Sequence, residues 1–253
     1  MYTYKGQQYP SVSTIIGQLD KSDALIPWAL NCFEAKLNEL IASGTPVSEA
    51  IVIAKRDYRN VSDTALDIGS QVHSAIEQYI KTGKDLSGEL MPEVANGFIA
   101  FLQWESENVS KWIESEIKTV NTTYGYGGTL DAIFENRDGE IVIVDFKTSK
   151  AIFDEMWLQI SAYRKAREET FGQYTIDFDR GETATFSYDL PKIEIEQSAI
   201  LRLDKQTGMP EYVVRDSKKT TRDFTAFAHL TDFYYNQKKR RLKGNEIVKS
   251  IWE

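Results

Sequence analysis

The sequence predicts an α/β fold in which a mixed central sheet is flanked by helices and preceded by a helical N-terminal elaboration. Three observations predict it. Ile141 to Lys147 is an almost unbroken apolar and β-branched run, as in a strand covered on both faces. Leu130 to Phe134 reads as the strand before it, and Arg137-Asp138-Gly139 as a three-residue hairpin turn with Gly139 in the left-handed position. Segments of helical periodicity stand on both sides of this hairpin. No repeat or low-complexity linker divides the chain. It reads either as an elaboration over residues 1–60 joined to a domain over 61–253 with a C-terminal helix, or as one domain throughout. With 253 residues and 42% hydrophobic content it can bury a substantial core.

The elements follow in order. Val12, Ile15, Ile16 and Leu19 open a first helical segment, Leu25 to Ile41 forms a longer one ended by Gly44 and Pro46, and Ser48 to Tyr58 a third. The first sixty residues therefore read as helical. Ser62 reads as the cap of a helix over Asp63 to Thr82, with Leu66, Gly69, His73, Ile76 and Ile80 along one stripe and Gly83 beyond its end. Glu89 to Val109, with Phe98, Phe101 and Trp104, is a further helix and leads into a strand over Lys111 to Thr122. After the hairpin come a helix over Asp154 to Glu169 and strands over Ala184 to Tyr188, Glu194 to Leu203 and Tyr212 to Val214. A helix from Thr221 to Leu242 closes the chain.

The central hairpin carries charges that a buried strand does not need for stability. Side chains alternate along a strand, so Asp145 and Lys147 share a face with Ile141 and Ile143. If Asn136 faces Glu140 across the turn, Asp131 faces Asp145. Their Cβ atoms then stand about 4.5–5.5 Å apart. Two carboxylates so close repel, and a divalent cation between them removes the penalty. The plainer alternative is that Asp131 ends one strand and Asp145 to Lys147 is a solvated terminus with an ion pair.

Composition narrows the chemistry. Cys32 is the only cysteine, which excludes an internal disulfide framework and any iron-sulfur cluster or zinc site built from several thiolates of this chain. Oxygen donors must supply most of any metal site. The net charge of −8 argues against a general polyanion binder, although cations concentrate at Lys218-Lys-Thr-Thr-Arg222 and Lys238-Lys-Arg-Arg-Leu-Lys243. Each cluster reads equally well as a solvated helix face. No run of about 18 apolar residues is present, and Met1-Tyr-Thr-Tyr-Lys-Gly6 lacks the core of a signal peptide, so a soluble, cytoplasmic protein without membrane contact is expected.

In motif order the chain resembles the PD-(D/E)XK nucleases and, within them, the RecB-like exonuclease branch. The likeness rests on Gly69-Ser-Gln-Val-His73, Gly128-Thr-Leu-Asp131, Asp145-Phe-Lys-Thr148 and Gln159-Ile-Ser-Ala-Tyr163, and spans residues 62 to 203. Ser11-Val-Ser-Thr-Ile-Ile16 with Trp28 also looks like the start of phage-type and mitochondrial genome-maintenance exonucleases. The resemblance implies a restriction-endonuclease-like core. It also implies that His73, Asp131 and Asp145 ligate Mg²⁺ or Mn²⁺, one ion or two, with the Phe146 carbonyl and Glu116 assisting. Lys147 would orient or deprotonate the attacking water, and a nearby metal would push its pKa down. Gln159 and Tyr163, on one helical face, would contact nucleic acid or position the lysine. Read from the residues alone, Tyr163 is equally a core aromatic, Gln159 a surface residue, Glu116 a solvated strand acid and His73 a structural histidine.

The leading function is accordingly a metal-dependent DNA exonuclease of recombination, repair or phage replication. Its expected partners are DNA with a free end and a recombination or replication protein. Lys36, Lys55, Arg56 and Arg59 in the helical N-terminal region are expected to contact phosphates. A structure-specific or restriction-type endonuclease of the same fold, and a non-catalytic nucleic-acid-binding or assembly module, are the alternatives. There is no Gly-x-x-x-x-Gly-Lys-Ser/Thr phosphate loop, so ATP hydrolysis is not expected to drive movement along DNA.

Overall fold

A computed structural model describes residues 1–179 and 181–241 and gives a mixed α/β architecture. The chain divides into two compact units, Leu19–Val72 on the one hand and Met1–Gln18 with His73 onward on the other.

In the larger unit, strands β1 (Tyr2–Tyr4) and β2 (Gln7–Tyr9) precede the short helix α1 (Val12–Ile16). The smaller unit holds α2 (Ser22–Ala42) and α3 (Val47–Ala54), and α4 (Asp57–Thr82) runs out of it into the larger one. Then follow α5 (Pro92–Asn108), β3 (Val109–Asn121), β4 (Tyr126–Asn136), β5 (Ile141–Lys147) and α6 (Asp154–Glu169). The chain continues with β6 (Gly172–Asp179), β7 (Thr183–Leu190), β8 (Gln197–Leu203), β9 (Pro210–Asp216) and α7 (Ser217–Arg241).

The main sheet has the order β3-β4-β5-β8-β9, with β5 and β8 parallel and the other pairs antiparallel. Its centre is the apolar run that the sequence singles out. Ile143 and Ile133 pair across the β4–β5 hairpin and pack with Ile200, Ile160 and Trp157 under α6 and with Phe227 of α7. On the opposite face the aromatic residues of α5 close the sheet: Trp104 lies 5.3 Å from Phe134 and 5.2 Å from Tyr212 between ring centroids, and Phe101 lies 5.7 Å from Phe146. Phe101, Trp104, Phe134 and Phe146 are buried and each contributes roughly 1.5–3 kcal/mol. The strand ends are thus held from both sides.

Two further devices fix α6. Arg167, fully buried, makes a two-pronged ion pair with Glu114 of β3, at 2.6 Å through Nε and 2.5 Å through a terminal nitrogen, and also donates to the carbonyls of Thr170 and Pro191. Gly128 of β4 lies against the Tyr163 ring so closely that a Cβ there would clash with it. Any larger residue at 128 would push α6 away.

A second, four-stranded sheet has the order β2-β1-β6-β7 and buries Tyr2, Tyr9, Val120, Tyr174 and Ile176 together. Here the structure departs from the sequence reading. The first sixty residues are not uniformly helical, because Tyr2–Tyr4 and Gln7–Tyr9 form a hairpin that pairs with β6. β6 itself was not expected. The compact units divide near residues 18 and 72 and not at residue 60, and residues 1–18 belong with the larger unit. Ser62 lies inside α4, which begins at Asp57, and Leu66 is 69% exposed, so the expected stripe is buried only around Ile76. The closing helix starts at Ser217, whose entry is capped by the Asp216 carboxylate accepting from the Lys219 N–H at 2.7 Å. Leu242 and Lys243 of the C-terminal basic cluster lie outside the described residues. Among the described residues no helix is long and apolar enough to cross a membrane.

Candidate metal centre

The hairpin register decides which charges meet. Gly139 takes φ +83° in the turn, Asn136 donates its N–H to the Glu140 carbonyl at 2.9 Å, and Ala132 pairs with Val144. Asp131 and Asp145 follow directly beyond that last pair, one on each strand. On the other side of β4, Ser115 pairs with Ala132 and Ile117 with Leu130, which brings Glu116 level with Asp131. Glu116 has φ +56°, a left-handed conformation that costs a non-glycine residue about 1–3 kcal/mol.

Three donors converge as a result. One ligand atom each of His73, Glu116 and Asp131 lie within 4.8 Å of one another, a set that could hold a metal ion. His73 Nδ1 stands 3.6 Å from Asp131 Oδ1, and the other carboxylate oxygen, Oδ2, accepts the backbone N–H of Phe146 at 2.7 Å. Phe146 thus touches the site through its N–H, and its ring supports the imidazole edge-on at 6.0 Å. Asp145 lies outside the three-donor set. Its side chain is 2% exposed and its Oδ2 pairs with the Lys147 ammonium at 2.5 Å.

Lys147 is tethered from α6. Its Nζ donates to Gln159 Oε1 at 3.1 Å, and Gln159 Nε2 donates to the Tyr163 hydroxyl at 2.8 Å. This chain fixes the amide orientation, oxygen toward the cation and nitrogen toward the phenol. Gln159 and Tyr163 therefore both reach the site, one directly and one through its neighbour. Lys36, Lys55, Arg56 and Arg59 belong to the smaller unit, where Lys36 pairs with Glu39 at 2.8 Å and Arg59 donates to the Tyr58 hydroxyl at 3.1 Å.

The electrostatics separate like groups. Burial opposes charge on His73, but the Asp131 carboxylate outweighs it and lifts the imidazole to about 9. Burial also pushes Glu116 up, to about 7, with help from Asp131 and Glu77. Asp145 is pushed upward by burial and by Asp131, against Lys147, whereas His73 holds Asp131 low against its own burial. Two facing carboxyls with pKa values driven apart are a common mark of working acid–base sites. Burial opposes the Lys147 charge, and the two aspartates overcome it and raise its pKa. In the protein by itself the lysine thus shifts opposite to the direction expected beside a metal.

Sequence reasoning placed Glu116 in a supporting role and gave no hint of the Arg167–Glu114 pair. A left-handed glutamate within a strand leaves no compositional trace, and a buried arginine at a helix end looks like a surface residue. No protein-family model matches the chain, and no curated protein matches it.

Proposed function

We propose that the chain is a Mg²⁺- or Mn²⁺-dependent deoxyribonuclease, with a restriction-endonuclease-like core of the RecB-like kind, acting on DNA ends in recombination, repair or phage replication. The observation that carries this reading is the convergence of His73, Glu116 and Asp131 beside a partly buried, tethered Lys147. The donor set fits such an ion. Ligands of a metal with bonds of about 2.1 Å stand roughly 3–4 Å apart, so small side-chain rotations close the 4.8 Å set. Two carboxylates with one imidazole suit a hard divalent cation, and the imidazole favours Mn²⁺ over Mg²⁺.

A bound ion would lower the pKa of water and offset charge on the phosphate. The rest falls to the chain. His73, Glu116 and Asp131 hold the ion, and the Phe146 N–H orients the Asp131 carboxylate so that Oδ1 faces the imidazole. Asp145, on the neighbouring strand, fixes the Lys147 ammonium from one side and Gln159 fixes it from the other. Held in this way, Lys147 donates to a phosphate oxygen or exchanges a proton with the attacking water.

Digestion of DNA labelled at either end, with a closed circle of the same sequence as control, tests the reading in Mg²⁺ or Mn²⁺. Mononucleotides from linear strands and an intact circle are expected. Internal fragments and a cut circle would move the assignment to an endonuclease, and a folded protein that binds DNA without cutting it would leave a binding module.

A further inference from the structure

The small sheet sorts its residues by face. Tyr174, Ile176 and Phe178 of β6 stand opposite Tyr188, Phe186 and Ala184 of β7, and Tyr2 of β1 stands opposite Phe178. The alternate positions carry Thr175, Asp177, Asp179, Thr185, Ser187 and Asp189. Thr185 donates to Asp177 there at 2.7 Å, and the hydroxyls of Thr175 and Ser187 meet at 3.2 Å. The acids of these two strands therefore lie on the polar face, opposite the aromatic one.

The aromatic face receives a cation from the main sheet. Lys118 of β3 sets its ammonium 4.1 Å from the centre of the Phe186 ring and 5.8 Å from that of Phe178, and its backbone N–H donates to the Tyr188 hydroxyl at 3.3 Å. Phe178, Phe186 and Tyr188 are each only half buried. A single residue separates Lys118 from Glu116 of the donor set, about 7 Å along the strand. Lys118 is itself half buried, so its ammonium is a partly desolvated charge resting on rings. A phosphate would hold it more strongly than a ring does.

We propose that this face seats an unpaired stretch of the DNA strand next to the cleaved phosphate. Lys118 exchanges the Phe186 ring for a backbone phosphate, and the ring so released joins Phe178 and Tyr188 as a stacking surface for bases. This inference deepens the nuclease reading and rests on it. It names the substrate class as single-stranded or frayed DNA, because a base must leave its duplex to stack on a side chain.

Binding of the full chain to fluorescein-labelled oligothymidylate and to an abasic strand of equal length, in chelator, separates stacking from phosphate contact. Native protein is expected to prefer the base-bearing strand by about tenfold. Phe186→Leu, which keeps the apolar volume, should lose that preference, and Lys118→Met should weaken both strands alike and reduce the salt slope by about 0.7. Equal binding of the two strands by native protein, or an undiminished preference in Phe186→Leu, would overturn the proposal. Photocrosslinking of an iodouracil strand to native protein needs no variant. Label in the peptide holding Phe178 to Tyr188 supports the inference, and label confined to other peptides overturns it. A protein that cleaves DNA yet binds both strands equally loses this inference alone, whereas one that neither binds nor cleaves loses the nuclease reading with it.

Discussion

The two units of the chain are built on opposite terms. The larger one buries Phe98, Phe101, Phe134, Ile133, Ile143 and Ile160 completely and even encloses an arginine in an ion pair. In the smaller one, Leu19–Val72, only Ala50, Ala54 and the boundary residue Val72 are buried, and α2 has no buried residue at all. Leu25, Ile26, Leu30, Val47, Val52 and Leu66 are each more than half exposed. Two alanines and one valine at the unit's edge contribute little hydrophobic free energy, so the helices of the smaller unit depend on local hydrogen bonds and short contacts such as the Trp28–Tyr58 edge-to-face pair at 6.3 Å. The contrast teaches where precise chemistry can reside. Donors that must stay within a few ångströms of one another project from the densely packed unit, and the weakly packed unit carries dispersed cations such as Lys36, Lys55, Arg56 and Arg59.

The largest expected effect falls inside the dense unit. Lys147→Ala should lower cleavage by roughly 10²–10⁴-fold, measured as nucleotide release under saturating Mn²⁺. Near-normal turnover would remove Lys147 from the chemistry. Arg167→Met should come next, costing about 3–5 kcal/mol in urea denaturation because Glu114 is left buried without its partner. The matching change in the small unit, Lys36→Ala opposite Glu39, should leave the midpoint where it is. Equal losses at the two sites would erase the distinction between the units.

Amide hydrogen exchange reads the contrast without substitution. Amides of α2 and α3 should exchange at least about a hundredfold faster than those of β4 and β5, which open only with the whole larger unit. Comparable protection in both would mean that the small unit has a core of its own.

A smaller, graded effect is expected with pH. His73 is raised from its ordinary 6.5 to about 9, so its contribution to stability is complete below pH 6.5 and is lost as pH climbs through 9. Glu116, raised to about 7, retains in the folded state a proton that the unfolded chain sheds, so stability also falls between about pH 4.5 and 7. Metal binding requires both groups deprotonated and moves the other way. Mn²⁺ affinity should rise by up to about tenfold per pH unit from 7 to 9, with proton release detectable by calorimetry in buffers of different ionisation heat. Affinity that is flat over this range would exclude His73 as a ligand.

How much of this was legible in the sequence follows the same division. β5 and α6 run Ile141–Lys147 and Asp154–Glu169, as read, because an apolar run and a periodic segment bounded by turn signals leave few alternatives. The hairpin register, with Glu135 opposite Ile141 and Ala132 opposite Val144, followed from one turn length. β1, β2 and β6 were missed because short strands rich in tyrosine and threonine have weak periodicity, and Tyr2 finds its partner Phe178 far along the chain. The stripe from Leu25 to Ile41 has the spacing of a core-facing helix, yet α2 buries none of it. Spacing reports that a face is apolar, not that anything covers it. At the site, the donor residue types were readable, but the left-handed backbone at Glu116 was not, since φ +56° at a glutamate has no signature in composition.

The central claim is that the dense unit holds a divalent ion for phosphodiester cleavage, and the most direct test is digestion of an end-labelled single strand by native protein with Mn²⁺, with and without chelator. Release of mononucleotides that stops when the chelator is added is the expected result. An intact strand after prolonged incubation with a folded, Mn²⁺-saturated protein would contradict it.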